Sequence, residues 1–201
     1  MSTSGSSYHH GDLRTALVSA AAEMLETGEP YSLRAVARRA GVSPAAPYRH
    51  FADRSALDAA VAVEGFTDLS ACLTDALRAV PDSAGPVDMV SALGVAYVSF
   101  ALRRPALFRL MFGENCGDPD GGRAQASRQL ESVLTEVLSR SFPEQSSSSL
   151  TTALWGLAHG LAFLHLDGEY STEPPAEIAK RVRAVVTAVF NMGQGLASPS
   201  T

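Results

Sequence analysis

The sequence predicts an all-α fold, and three observations carry that reading. Alanine and leucine abound while runs of β-branched residues are few. Nearly every segment repeats its apolar residues with a helical period and not the alternation of a strand. Ile178, Val182, Val185, Val186 and Val189, for example, follow i, i+4, i+7, i+8 and i+11. Finally, Gly28, Pro81 and Pro143 each stand where a helical segment is expected to end. About nine helices are expected, with a three-helix N-terminal domain over 1–52 and a helical C-terminal domain over 53–201 that begins with a long helix.

Residues 1–7 form a Ser/Gly-rich tail expected to be disordered. A first helix follows over 11–27, with Leu13, Leu17, Ala20, Ala21 and Met24 inward and Gly28 at its end. Ser32 can cap the next, over 33–40, whose Leu33, Val36, Ala37 and Ala40 share one face while Arg34, Arg38 and Arg39 point outward. Gly41 stands where that helix stops and the chain turns, a position suited to a left-handed backbone. Val42 plugs the core. Ser43 caps a short helix over 44–50 with Pro44 in its first position, where a missing N–H costs nothing. Phe51 completes its inner face. Two amphipathic helices joined by Ala40-Gly41-Val42 spell a helix-turn-helix, the second helix offering its N-terminal residues to base edges in a major groove.

Downstream, Asp53 can cap a long helix towards Val80, with Leu57, Val61, Phe66, Leu69, Cys72 and Leu73 as candidate inward positions. Further helices are expected over 86–102 and 105–112, then over 123–141 and 148–167 after a Gly/Asp/Pro loop, and last over 175–195.

The formal net charge of −5 is unusual for a protein that binds DNA, but its distribution matters more than its sum. Over 31–54, five arginines (Arg34, Arg38, Arg39, Arg49, Arg54) against Asp53 alone leave +4. The acidic balance lies elsewhere, which argues against a second nucleic-acid surface. There is neither a charged-then-apolar leader nor an unbroken apolar run of about 18 residues. The most apolar stretch, 89–102, is interrupted by Ser91, Gly94 and Ser99, so a cytoplasmic protein with no membrane partner is expected. Cys72 and Cys116 fit no metal-ligand spacing and read as incidental thiols more readily than as a redox switch. His9 and His10 lack a second pair of ligands nearby. No metal and no cofactor are expected.

At these residues a resemblance becomes specific. LRAVARRAGVSPAAPYRHFADRSAL, preceded by YHHGDLRTALVSAAAEMLETG, resembles the DNA-binding segment of the tetracycline-repressor (TetR) family of bacterial transcriptional regulators over about the first 65 residues. RRPALFRLMFG and ALWGLAHGLAFLHLDG are similar to the C-terminal domain of a subgroup named for its Trp-His-Gly residues, here Trp155, His159 and Gly160. The resemblance implies a homodimeric regulator, most often a repressor, that binds a near-palindromic double-stranded DNA operator and is released by a small-molecule effector. The implied DNA contacts are Arg34, Ser43, Pro44, Ala45, Ala46, Tyr48, Arg49, His50 and Arg54. Arg34 has the planar fork that reads a guanine edge, while Tyr48 and His50 match positions that grip phosphate. The competing readings are a solvated arginine for Arg34 and a histidine packed beside Phe51 for His50.

Two departures bear on recognition. Pro47 removes the N–H that would bond the Ser43 carbonyl and so distorts the first turn of the recognition helix. Ala45 and Ala46 bring no hydrogen-bonding side chains, leaving thymine methyl contacts, Arg34 and DNA shape.

In the C-terminal part, Trp155, His159 and Phe163 recur every four residues on one face, with Gly156 and Gly160 as a parallel smooth stripe. Two readings stand side by side. In one, these residues fill a core. In the other, Phe66, Tyr97, Phe100, Phe108, Met111, Phe112, Trp155, His159 and Phe163 line a ligand cavity. Gly156, Gly160, Val182, Val185, Val186 and Val189 are the expected dimer interface, built from the last two helices of each copy. No nucleophile–base pair, H-E-x-x-H or phosphate loop suggests an enzyme. The alternative of another class is a helical ligand- or partner-binding protein without DNA function.

Overall fold

The computed structural model describes residues 10–113, 121–142, 147–170 and 173–197. The Ser/Gly tail, His9, Cys116, Pro143 and most of the loop after residue 113 lie outside them. Among the described residues there are eight α-helices and one 3-10 turn. The helices are α1 (His10–Thr27), α2 (Leu33–Arg39), α3 (Arg54–Arg78), α4 (Pro86–Arg103), α5 (Pro105–Phe112), α6 (Gly122–Ser141), α7 (Ser147–Leu166) and α8 (Pro175–Ala197). The all-α reading holds.

Spatial proximity divides the chain into two units. The first takes its described residues from Met1–Gly65 and Ala106–Gln125, the second from Phe66–Pro105 and Ala126–Thr201. The division falls inside α3, whereas the sequence reading ends the first domain where that helix begins.

In the first unit, Leu17, Ala21 and Met24 of α1, Val36 and Ala37 of α2, Phe51, and Leu57 and Val61 of α3 are buried. Leu107, Phe108 and Met111 of α5 are buried as well. The caps expected from sequence are in place. Ser32 Oγ accepts the Ala35 N–H at 3.1 Å and Asp53 Oδ1 that of Ala56 at 2.8 Å. Gly41 has φ +70°, and the N–H groups of Gly41 and Val42 close back on the carbonyls of Arg38 and Ala37 at 3.2 and 2.9 Å. This is the left-handed stop that a Cβ would strain. At the other end of the unit, the Glu26 carboxylate accepts the N–H groups of Ala106 and Leu107 at 3.2 and 2.9 Å, satisfying donors in the first turn of α5.

The expected helix over 44–50 is corrected. After Gly41 the chain makes a turn in which the Ala46 N–H bonds the Ser43 carbonyl at 3.0 Å, followed by a single 3-10 turn, Pro47–Arg49. Ser43 therefore does not cap a helix: the capping position is Ala46, and Pro47 is the proline at the start. The physical reason is Pro47. Pro47 cannot donate the bond that would have extended an α-helix from Ser43.

In the second unit α4 packs against both α7 and α8. Gly94 makes the second contact close, since a Cβ there would stand 3.1 Å from Val182 Cγ1. Val90, Leu138 and Val186 form a core cluster beside the stacked rings of Phe142 and Phe190, 5.3 Å apart. By length and composition α4 is apolar enough to cross a membrane, yet Val90, Leu93, Tyr97, Val98 and Ala101 turn into this core.

Val182 and Val186 must be withdrawn from the expected dimer interface. They are 0 % and 3 % exposed within a single chain, so they have no surface to give a partner. A stripe with spacing i, i+4, i+7 turned its buried edge to α4 and left the next edge outward: Val185 is half-buried and Val189 is 43 % exposed.

Candidate nucleic-acid interface

Helix α2 and the 3-10 turn pack directly on one another. Leu33, Ala35, Val36, Ala37 and Pro47 are buried on the inside, so the remaining side chains of the pair are forced outward. Arg34 is exposed on α2. Ser43, Pro44 and Ala45 are exposed on the turn, with Ala46 half-buried beneath them. Tyr48 is 51 % exposed, which is unusual for an aromatic side chain in a well-packed unit, and Arg49 beside it is exposed too. The outward groups are guanidinium and phenol, which donate to phosphate oxygens and base edges, together with the methyl and ring carbons of alanine and proline.

The other two expected contacts are more constrained. His50 is half-buried with its ring centroid 6.4 Å from that of Phe51, the geometry of the packing alternative. Arg54 lies over the Tyr31 ring at 4.7 Å, and its Nε is 3.5 Å from Asp58 Oδ2. Burial pushes the Asp58 carboxyl up, with the Tyr31 hydroxyl and Arg54 working against it. The Arg54 guanidinium is thus held in place at the start of α3.

The local charge is smaller than the sequence count. Arg39 reaches back to Glu23 of α1 at 3.1 Å and to Glu29, just past the end of that helix, at 2.6 Å. The Thr27 hydroxyl and then Arg39 hold the Glu29 carboxyl below its ordinary value, and bonds to Glu23 and Glu29 raise Arg39. One of the five arginines counted over 31–54 therefore serves structure. Sequence reasoning missed a replacement. Arg14 is exposed on α1 with its guanidinium 5.4 Å from the Phe51 ring centroid, next to the reading segment. Its outward helical position was legible, its neighbour was not.

In the second unit, Trp155 Nε1 donates to the Tyr97 hydroxyl at 3.1 Å, and that hydroxyl lies 2.9 Å from His159 Nδ1. Burial pushes the phenol up and the imidazole down, so both are neutral near pH 7. The His159 ring also meets Phe163, centroids 4.8 Å apart. Tyr97 and Trp155 border a cavity of about 50 Å³. Its other described walls are leucines and valines with Gly94, Thr151 and Ala158, none of them in the expected lining set, whose remaining members Phe66, Phe100, Phe108, Met111, Phe112, His159 and Phe163 are not among the described lining residues. Phe66 and Phe100 are buried in the same unit. Phe108, Met111 and Phe112 belong to the first unit, where the rings of Phe108 and Phe112 pack 4.9 Å apart. Gly156 and Gly160 lie exposed on α7, and a Cβ at either would meet nothing within 4 Å among the described residues.

Residues 17–61 match the family model of bacterial regulatory proteins of the tetR family, and residues 90–189 that of the tetracyclin repressor-like C-terminal domain. An uncharacterized HTH-type transcriptional regulator of Haemophilus influenzae is 32 % identical over 127 residues, 62 % of this chain and 60 % of the relative's length. A Rhodococcus sp. RHA1 protein of unknown function superposes with a TM-score of 0.76 at 30 % identity, covering 90 % of this chain and 97 % of that one. A transcriptional regulator of the TetR/AcrR family from Thermobifida fusca shares the fold, with a TM-score of 0.67 at 17 % identity over 87 % and 96 % of the two chains.

Proposed function

The chain belongs to the TetR family of bacterial regulatory proteins, and from that premise we propose that it is a cytoplasmic, homodimeric repressor of a near-palindromic double-stranded DNA operator, released by a small-molecule effector. The observation that carries the DNA reading is the outward set on α2 and the 3-10 turn. Arg34, Tyr48 and Arg49 are exposed while the apolar side of the same segment is locked into the core. In this reading Arg34 reads a guanine edge, Tyr48, Arg49 and Arg54 bind phosphate, and Pro44, Ala45 and Ala46 meet thymine methyl groups. His50 supports the turn by packing beside Phe51. Two such surfaces, about 34 to 36 Å apart, enter successive major grooves.

Dimerisation through α7 and α8 is supported by what remains outside after packing. Gly156 and Gly160 are exposed on α7, and Leu164, Val189 and Met192 are 39 %, 43 % and 69 % exposed. The effector acts on the second unit, where an affinity difference of about 1 to 3 kcal/mol between two dimer geometries changes DNA binding roughly 5- to 150-fold. The Trp-His-Gly subgroup is part of the proposal, supported by the convergence of Trp155 and His159 on Tyr97.

The test is selection of bound fragments from genomic and random DNA, followed by Arg34→Ala and Tyr48→Ala on the enriched sequence. A palindromic motif whose affinity falls in both variants is expected. No enriched motif, or variants that bind it as tightly as the parent, would overturn the reading.

A further inference from the structure

We infer that the effector is an uncharged, predominantly apolar molecule and that it binds in the cavity walled by α3, α4, α6, α7 and α8. This rests on the effector role proposed above for the second unit. Among the described residues no Asp, Glu, Lys, Arg or His lines that cavity: its walls are leucines, valines, Gly94 and Ala158, and the polar side chains among them are Tyr97, Trp155 and Thr151. Those polar groups are already engaged, the Trp155 N–H with the Tyr97 hydroxyl and that hydroxyl with His159. A carboxylate or ammonium placed there would surrender its hydration with no opposite charge to meet it. An apolar molecule loses nothing of that kind and gains the burial of its own surface.

The free space, about 50 Å³, is smaller than a drug-sized ligand requires. A ligand must therefore displace wall side chains, and the wall most coupled to the fold is the α4–α8 contact at Gly94 and Val182. Occupancy and a change in helix packing are linked by volume alone.

The experiment compares three probes that share one aromatic ring: toluene, benzoate and benzylammonium. Binding to the full-length protein is followed by the emission of Trp155, the only tryptophan in the chain, and operator binding is measured in parallel. Toluene should shift the emission saturably and weaken operator binding, and it should bind about tenfold more tightly to Leu93→Ala, which removes about three carbon atoms of wall. Val90→Ala is the milder substitution should Leu93→Ala fail to fold. The charged probes should do neither. Benzoate or benzylammonium binding as tightly as toluene, or no uptake of toluene by any folded form, would overturn the inference. Toluene uptake that leaves operator affinity unchanged would support the assigned ligand class and remove the effector role instead.

Discussion

Glu26→Ala should destabilise the protein by about 2 to 3 kcal/mol, through a contact eighty residues away in sequence. The carboxylate accepts two backbone N–H groups, those of Ala106 and Leu107, at 3.2 and 2.9 Å. Hydrogen bonds to a charged group contribute about 1.5 to 3 kcal/mol each, so two would set a ceiling near 6 kcal/mol. The site is only part-buried, and water can replace the lost acceptor for at least one donor, which brings the expected cost to about half of that ceiling or less. Glu26→Gln keeps an oxygen acceptor and loses the attraction of negative charge for a helix N-terminus, and should cost about 1 kcal/mol or less. The assay is urea unfolding at fixed protein concentration, where the midpoint should fall with the slope unchanged. Hydrogen exchange should accelerate at the amides of Ala106 and Leu107 first. An alanine variant within about 0.5 kcal/mol of the parent, against the range expected for two such bonds, would refute the claim that Glu26 fastens α5 to α1.

Arg34→Ala should cost about 1 to 3 kcal/mol at the operator and relax preference at one base position per half-site, whereas Arg54→Ala should lower affinity for all sequences and flatten the salt dependence; equal effects of Arg34→Ala on operator and random DNA would exclude it as a reader. Gly160→Leu should leave the fold of one chain intact, because no described residue lies within 4 Å of the added Cβ, and shift the protein to monomer by light scattering; an unchanged dimer moves the interface elsewhere. Stability should fall as pH drops below about 6.5, because burial lowers the folded-state values of His159 and His165 (Arg181 adding to the latter, Glu173 opposing), so the unfolded chain binds more protons in that window. Urea midpoints at pH 7.5 and 5.5 should differ in the parent and converge in His159→Gln/His165→Gln; equal midpoints in the parent would contradict this.

What was legible in the sequence is what local chemistry decides. Ser32, Asp53 and Gly41 act on backbone groups within a few residues of themselves, and each does so in the structure as its type and spacing suggested. The effect of Pro47 was legible in kind, as a missing donor, while its extent was not: a helix was reduced to one 3-10 turn. Tertiary partners were out of reach. Nothing near Glu26 or Arg39 announces that one will hold α5 and the other will be spent on Glu23 and Glu29. The α8 stripe shows the same limit, since periodicity gives a width of apolar surface but not which edge faces its own chain. Val182 and Val186 went inward and Val189 outward.

The two prolines of the recognition segment also lower its entropy. Pro44 and Pro47 each arrive with φ already restricted, and Ala45 and Ala46 between them have no side-chain torsions to freeze. Such a segment meets a groove as a preformed piece. Its docking requires little ordering of the protein, so the heat capacity change on binding should report dehydration and DNA deformation with almost no contribution from coupled folding.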